Sequence, residues 1–355
     1  MKVSVLIPYY NDEQFLRQSI KSVLAQTFTD FELVLVNHAS TDGSRAIARS
    51  FDDPRIVHVD MPVNHGAGGG LVVAEFLKVA RGEYVKFFCA DDVMRPQCLA
   101  ELVGYMESHG DVSFAFGDLE YVNVDGVDLQ AHWYEDRPKF SVNLTETDCL
   151  KLLSDGFSFL PWIGSIVRRS ELFGIELDAT MVMLFDVSVW TQLLLNGCRM
   201  GVIESVVADY RVHSGQVSAL ERQAEVNALS HGERQAFFRY FQTCRDVALV
   251  KEVFGEDEFI MRIQTAADIP LAVALRYVAK DKYAIWAYQY VHDYLQDPVK
   301  RAEAEVRMGI TVAGFRNLIR GHVEPPRKRS WWVRFRDRWL RFKLFRRDKF
   351  GEYSL

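Results

Sequence analysis

No run of about 18 apolar residues occurs in the chain, so no single helix is expected to cross a membrane. Positive charge is not in excess either. The formal net charge of −6 excludes a global basic field that would point to nucleic acid, and no nucleic-acid partner is expected. Cysteine is scarce: Cys89, Cys98, Cys149, Cys198 and Cys244 are odd in number and lack Cys-x-x-Cys or Cys/His zinc spacing. They are expected to be reduced thiols in a cytosolic protein. No internal repeat is visible. The opening MKVSVLIPYYND carries only about six apolar residues before polar ones, which reads as a strand, not a signal peptide.

What is present is a strand–helix alternation. Val3–Ile7 and Phe31–Val36 are short apolar runs of the kind buried on both faces of a parallel sheet. Arg55–Val59 and Tyr84–Phe88 follow as strands, with helices expected over Glu13–Gln26, from Asp42 and Gly43 through Phe51, and over Leu71–Ala80. Pro96 is expected at the first position of a further helix. Such an order over about 110 residues predicts a doubly wound α/β fold. Ser113–Val124 and Arg199–Arg211 read as strands, Asp186–Asn196 as a helix closed by Gly197, and Ala219–Leu318 as mostly helical. In a doubly wound sheet, ligands lie beyond the carboxyl ends of the strands. That singles out Tyr10 and Asn11, Asn37 to Asp42, and Asp91 with Asp92.

Two adjacent carboxylates at the end of a buried strand repel each other unless something relieves them. A hard divalent cation does so, because Mg²⁺ and Mn²⁺ take oxygen ligands and bridge carboxylates to phosphates. A solvated turn explains Asp91-Asp92 about as well. Ser40-Thr41-Asp42-Gly43-Ser44 could face a nucleotide with its amides and hydroxyls, but helix capping accounts for it equally. Gly66 to Gly70 is not a dinucleotide fingerprint, since Leu71 occupies the third glycine position; a flexible loop beside the ligand pocket is expected there.

Five segments in order closely resemble the family-2 nucleotide-sugar glycosyltransferases: Val3-Ser4-Val5-Leu6-Ile7-Pro8-Tyr9-Tyr10-Asn11, Gln26 to Leu33, Ser40 to Ser44, Ala80-Arg81-Gly82-Glu83-Tyr84, and Ala90-Asp91-Asp92. The resemblance covers roughly residues 1–215. It implies a GT-A-like (Rossmann-like) mixed, mostly parallel sheet with helices on both faces and an inverting, metal-dependent transferase. A helical C-terminal extension follows. Domains are expected at 1–218, 219–326 and 327–355. The resemblance implies nucleotide binding by Pro8, Tyr10, Asn11, His38, Asp42 and Asp91. It places a Mn²⁺ or Mg²⁺ ion on Asp92, with His213 of Tyr210-Arg211-Val212-His213 completing its shell. Asp186 is the implied general base, with a helix N-cap as its simpler explanation. Trp162 and Ser165 are the implied acceptor contacts, although core packing is the commoner fate of Trp.

Three positions depart from the family pattern. Asn37-His38-Ala39 stands where an Asp-Asp-Gly is usual, Cys89 where an earlier Asp is frequent, and Val73-Ala74 where an Arg-Asn pair is frequent. They keep open a catalytically silent nucleotide- or glycan-binding subunit. A nucleotidyltransferase is the other alternative, although such enzymes carry a Gly-rich basic loop where this chain has Pro8-Tyr9-Tyr10-Asn11. Residues 327–349 hold 11 Lys/Arg and 2 Asp/Glu, with Trp331, Trp332, Phe335, Trp339, Phe342 and Phe345 recurring among them. A basic aromatic amphipathic helix is expected there, in peripheral contact with the inner face of the cell membrane, near a glycan or lipid-linked acceptor. The same segment docked on its own domain is the alternative.

Overall fold

The computed structural model describes residues 1–66, 69–134, 144–154, 160–216, 223–280 and 284–320. Four parallel strands open the chain: β1 (Val3–Tyr9), β2 (Phe31–Asn37), β3 (Ile56–Asp60) and β4 (Tyr84–Phe87). Between them lie α1 (Leu16–Leu24), α2 (Ser44–Arg49) and α3 (Gly69–Val79). A two-residue strand, β5 (Val93–Met94), precedes α4 (Cys98–Ser108). Then come β6 (Val112–Val122), β7 (Asp128–His132), α5 (Glu146–Ser154), β8 (Ser165–Arg168), α6 (Phe185–Leu195) and β9 (Arg199–Arg211). The sheet runs β3-β2-β1-β4-β8-β6-β9-β5, with β7 paired to β6. β8 is antiparallel to both its neighbours, and β5 is antiparallel to β9, so the sheet is mixed.

Alternation along β1 sends Val3, Val5 and Ile7 into a core with Leu16, Ile20 and Val23 of α1 and Leu99 and Leu102 of α4. α3 covers β1 and β2 with the buried Val72, Val73 and Phe76. Each fully buried aliphatic side chain contributes roughly 1.5–3 kcal/mol, enough for these faces to fix the helices on the sheet. The chain turns one way from β1 to β2 and β3, then returns to place β4 on the other side of β1. That reversal is a switch point, which opens a crevice beyond the carboxyl ends of β1 and β4.

Several family-like residues serve the opposite end of the sheet. Glu32 is fully buried and accepts from Ser4 Oγ at 2.6 Å, from the Arg81 amide at 2.7 Å and from the Arg81 guanidinium at 2.8 and 2.6 Å. Burial alone would push this carboxyl up, but the bonds from Ser4 and Arg81 hold it below its usual range. A Cβ at Gly82 would lie 2.4 Å from the Ser4 nitrogen, so only glycine lets the chain cross there. These residues pin three strand starts together and lie away from the crevice.

Some boundaries shift. β1 continues through Pro8, which pairs in register with Val36. α1 starts at Leu16, because residues 12–15 form a turn. Pro96 precedes α4 by two positions, and Gln97 is the capping residue. Gly69 and Gly70 open α3 and are not a free loop; a Cβ on Gly69 would lie 2.4 Å from the Phe185 ring. The chain divides into two compact units, Met1–Val273 and Ala274–Leu355. The first takes in α7 (Gln223–Phe237), α8 (Tyr240–Thr243) and α9 (Val247–Phe254), so it continues past the expected boundary at residue 218. α10 (Ile269–Lys280) spans the division, and α11 (Ile285–Gln296), α12 (Pro298–Met308) and α13 (Val312–Arg320) belong to the second. Among the described residues no helix is long and apolar enough to cross a membrane. The basic aromatic segment lies outside the described residues.

Candidate active site

Asp91 and Asp92 follow β4 and are held by a segment about 120 residues away in sequence. β5 pairs Val93 with Asp209 of β9, which carries Tyr210-Arg211 alongside the acidic pair. The Arg211 amide donates to Asp92 Oδ1 at 2.8 Å, and Arg211 Nε donates to the Asp91 carbonyl at 2.8 Å. Its remaining guanidinium nitrogens donate to Gln18 Oε1 at 2.8 Å and to the Asn123 and Val124 carbonyls. The guanidinium also lies 4.9 Å from the centre of the Phe15 ring. Arg211 is only 1% exposed, and these acceptors offset the cost of burying its charge.

His213 Nε2 lies 3.0 Å from Asp91 Oδ2, and its ring packs 4.8 Å from Phe15. Sequence reasoning joined His213 to Asp92; the direct partner in the structure is Asp91. Asp92 is 2% exposed, and burial, followed by repulsion from Asp91, pushes its carboxyl well above the usual range. The ligating atoms of Cys89, Asp91 and Asp92 lie within 4.8 Å of one another. Burial pushes the Cys89 thiol well up, so it stays protonated and is a poor partner for a hard cation. Two crowded carboxylates with an adjacent imidazole fit a divalent ion that prefers oxygen.

The β1 and β2 ends form the other wall. Tyr10 is 43% exposed and free to meet a planar ligand. Asn11 sits at φ 55°, a conformation Asn tolerates. Its side-chain oxygen accepts the Thr41 amide at 2.8 Å, and its own amide donates to Ser40 Oγ at 3.2 Å. Asp42 accepts the Ser44 amide at 2.9 Å and the Glu13 amide at 3.2 Å, and its carboxyl is held low. Its oxygens thus organise the loop itself.

Asp12, which sequence reasoning passed over, joins the end of β1 to the start of α2 within this wall. Its carboxylate accepts the Tyr10 amide at 2.8 Å and its own amide donates to Ser44 Oγ at 2.8 Å. Burial lifts its carboxyl to about 6, with Asp91 and Asp42 adding repulsion and His213 partly offsetting it. Its one sequence signal was adjacency to Tyr10-Asn11.

His38 is buried, and its Nε2 accepts the His65 amide at 3.0 Å. Burial holds its pKa below the ordinary value, so the ring is neutral with its hydrogen on Nδ1. Where the family pattern has a carboxylate acceptor, this chain therefore has a donor. His38→Asp is expected to change the relative affinities for uridine, guanosine and thymidine diphosphates by about tenfold, the scale of one hydrogen bond. Calorimetry checks it; preference and affinity both left untouched would show that His38 does not face the base.

Beside β4, Trp162 stacks on Phe87 with centroids 3.9 Å apart and meets Phe185 edge-on at 5.7 Å. It is partly buried, so much of it is packing. The fully buried Lys86 donates to the Ile163 and Phe87 carbonyls, which ties this loop to β4. Ser165 does not suit an acceptor contact: it is fully buried in β8 and donates to the Trp162 carbonyl at 2.6 Å. Asp186 is the second residue of α6, and Leu184 occupies the capping position, so N-capping does not explain it. It is half-buried, its Oδ1 accepts the Val187 amide at 2.8 Å, and burial lifts its carboxyl to about 6, with Glu233 adding repulsion. A helix start favours an ionised carboxyl, but desolvation outweighs that here.

Residues 4–169 match the model of glycosyl transferase family 2. That span includes Asp91 and Asp92 but ends before Asp186, Arg211 and His213. The uncharacterized glycosyltransferase YibD of Escherichia coli (strain K12) is 28% identical over 229 residues, 64% of this chain and 66% of that protein. The Escherichia coli UDP-Glc:alpha-D-GlcNAc-diphosphoundecaprenol beta-1,3-glucosyltransferase WfaP is 26% identical over 217 residues, 61% of this chain and 80% of that one. The fold is similar to that of S. aureus TarS 1–349 in complex with UDP-GlcNAc, with a TM-score of 0.51 and 18% identity over 91% of each chain.

Proposed function

The chain belongs to glycosyl transferase family 2, and from that premise we propose the reaction this glycosyltransferase performs. It moves a hexose-type sugar from a nucleoside diphosphate, with inversion, to a hydroxyl of a glycan or lipid-linked glycan. The observation that carries the proposal is the convergence of Asp91, Asp92, Arg211 and His213 beside Asp12 at the switch point. The lipid-linked acceptor of the relative WfaP supports a lipid-linked acceptor here.

Asp186 takes the proton of the acceptor hydroxyl. The acceptor oxygen then bonds to the anomeric carbon from the face opposite the diphosphate, and the carbon–oxygen bond to the diphosphate breaks with its electron pair. A carboxyl lifted to about 6 is ionised at neutral pH yet basic enough for this task. Asp92 and Asp91, with His213 beside them, would hold Mn²⁺ or Mg²⁺, which when bound neutralises the departing diphosphate. Tyr10 and the Asn11–Thr41 loop orient the nucleotide.

Nucleotide sugars are to be screened by thermal shift with and without Mn²⁺, since ligands of the native state raise its melting point. Turnover of those that bind then discriminates. Release of a nucleoside diphosphate is expected. Release of pyrophosphate would mean a nucleotidyltransferase, and binding without turnover a silent subunit.

The segment 327–349 supplies peripheral attachment in this scheme, at the inner face of the cell membrane, with a local charge of +9 drawn to anionic lipid at about 1 kcal/mol per basic residue near the surface. Anionic vesicles are expected to sediment the full chain at low salt, and less of it at high salt, but not a chain ending at Pro326. Equal sedimentation of both chains would refute the attachment.

A further inference from the structure

Leu184, at the capping position before α6, has no side-chain oxygen, and Asp186 engages only the Val187 amide, so the amides leading into the helix take an acceptor from elsewhere. Glu233 of α7 supplies one. Its carboxylate accepts the Val182 amide at 2.8 Å, the Met183 amide at 2.8 Å and the Leu184 amide at 2.7 Å. Three successive amides converging on one carboxylate form an anion-binding nest, here filled by a side chain from a helix about 50 residues further along. A negative charge at the start of α6 also suits the helix dipole.

We propose that Glu233 is a positioning residue for the base: its carboxylate fixes the 182–184 backbone and so sets where Asp186 meets the acceptor hydroxyl. This rests on the assignment of Asp186 as the base. Asp186 Oδ1 is engaged by the Val187 amide, so the direction of its other oxygen follows the backbone that Glu233 holds. Among the described residues Glu233 is the charged group whose field reaches Asp186, and it opposes ionisation there. The contact lies in the wall of an open groove of 440 Å³ lined also by Thr180, Met181, Leu229 and Gly232. Water can therefore reach amides freed by substitution, and the variants are expected to stay folded.

Glu233→Gln and Glu233→Ala are to be made in the full chain, beside Asp186→Asn. Hydrogen–deuterium exchange needs no substrate, and exchange at 182–184 is expected to quicken about tenfold or more in both Glu233 variants. Turnover of UDP-glucose with Mn²⁺ is expected to fall about tenfold to a hundredfold, the scale of a misplaced catalytic group, with UDP affinity unchanged. In Glu233→Gln the acid limb of the kcat profile should move to lower pH, because a repelling charge is gone. Unchanged exchange overturns the proposal, and so does slower turnover with an unmoved pH profile and weakened UDP binding, which marks a merely structural role. Should Asp186→Asn turn over normally, the base assignment itself fails, whatever exchange at 182–184 shows.

Discussion

Asp186→Asn is expected to lower turnover by about 10²-fold or more while nucleoside-diphosphate affinity stays the same. Asparagine keeps the size of the side chain and can still accept the Val187 amide that Asp186 accepts at 2.8 Å, so α6 keeps its start. What it loses is the ability to take a proton. The same substitution should stabilise the fold, and the pH dependence of that effect tests the environment separately. The folded-state carboxyl is lifted to about 6, so the folded protein holds that proton more tightly than the unfolded chain does. The burden of the ionised group is therefore fully present above about pH 6 and vanishes below the ordinary carboxylate range. Asp186→Asn should melt higher than the parent chain at pH 7 to 8, and the gap should close near pH 4. Normal turnover would move the base elsewhere; a gap that does not close would show that burial of this carboxyl is not its source.

Asp92→Asn should remove the Mn²⁺ dependence of nucleoside-diphosphate binding and lower turnover by about 10²-fold or more, the scale on which a bound cation stabilises a leaving diphosphate. The side chain is 2% exposed and its Oδ1 takes the Arg211 amide, a bond that asparagine preserves. The fold is thus expected to survive, where alanine would leave that amide unpaired in a buried place. Calorimetry of UDP with and without Mn²⁺ checks the first effect, and nucleoside-diphosphate release the second. An unchanged metal dependence would mean that Asp92 is not a ligand and that its burial serves only the Arg211 contact.

Residues of the site differed in how plainly they could be read. Asp91-Asp92 was legible because two carboxylates at the end of a buried strand are locally unfavourable, and local conflict is visible in a string of letters. Ser4, Glu32 and Arg81 carried the resemblance just as strongly, yet they brace the amino ends of the strands. Arg211 was quoted only as part of Tyr210–His213; its hydrogen bonds to Asp92, Asp91, Gln18, Asn123 and Val124 depend on β5 pairing with β9, which no local pattern announces. The resemblance implied Ser165 as an acceptor contact, but β8 is inserted between β4 and β6 and buries it.

The order of buried strands and amphipathic helices determined the parallel half of the fold from the sequence alone. Hydrophobic periodicity is set residue by residue, and right-handed crossovers leave few ways to arrange it. The switch point between β1 and β4 followed, and with it the region where a ligand binds. Only the tertiary structure decided which distant groups complete that region and on which partner: Arg211 on Asp91-Asp92, His213 on Asp91 instead of Asp92, the His65 amide on His38, Glu233 on the approach to Asp186. Those partners meet through strand pairing and helix docking across 27 to 122 positions. Their energies come from desolvation and directed hydrogen bonds, which depend on where the groups end up in space and not on their neighbours in the chain.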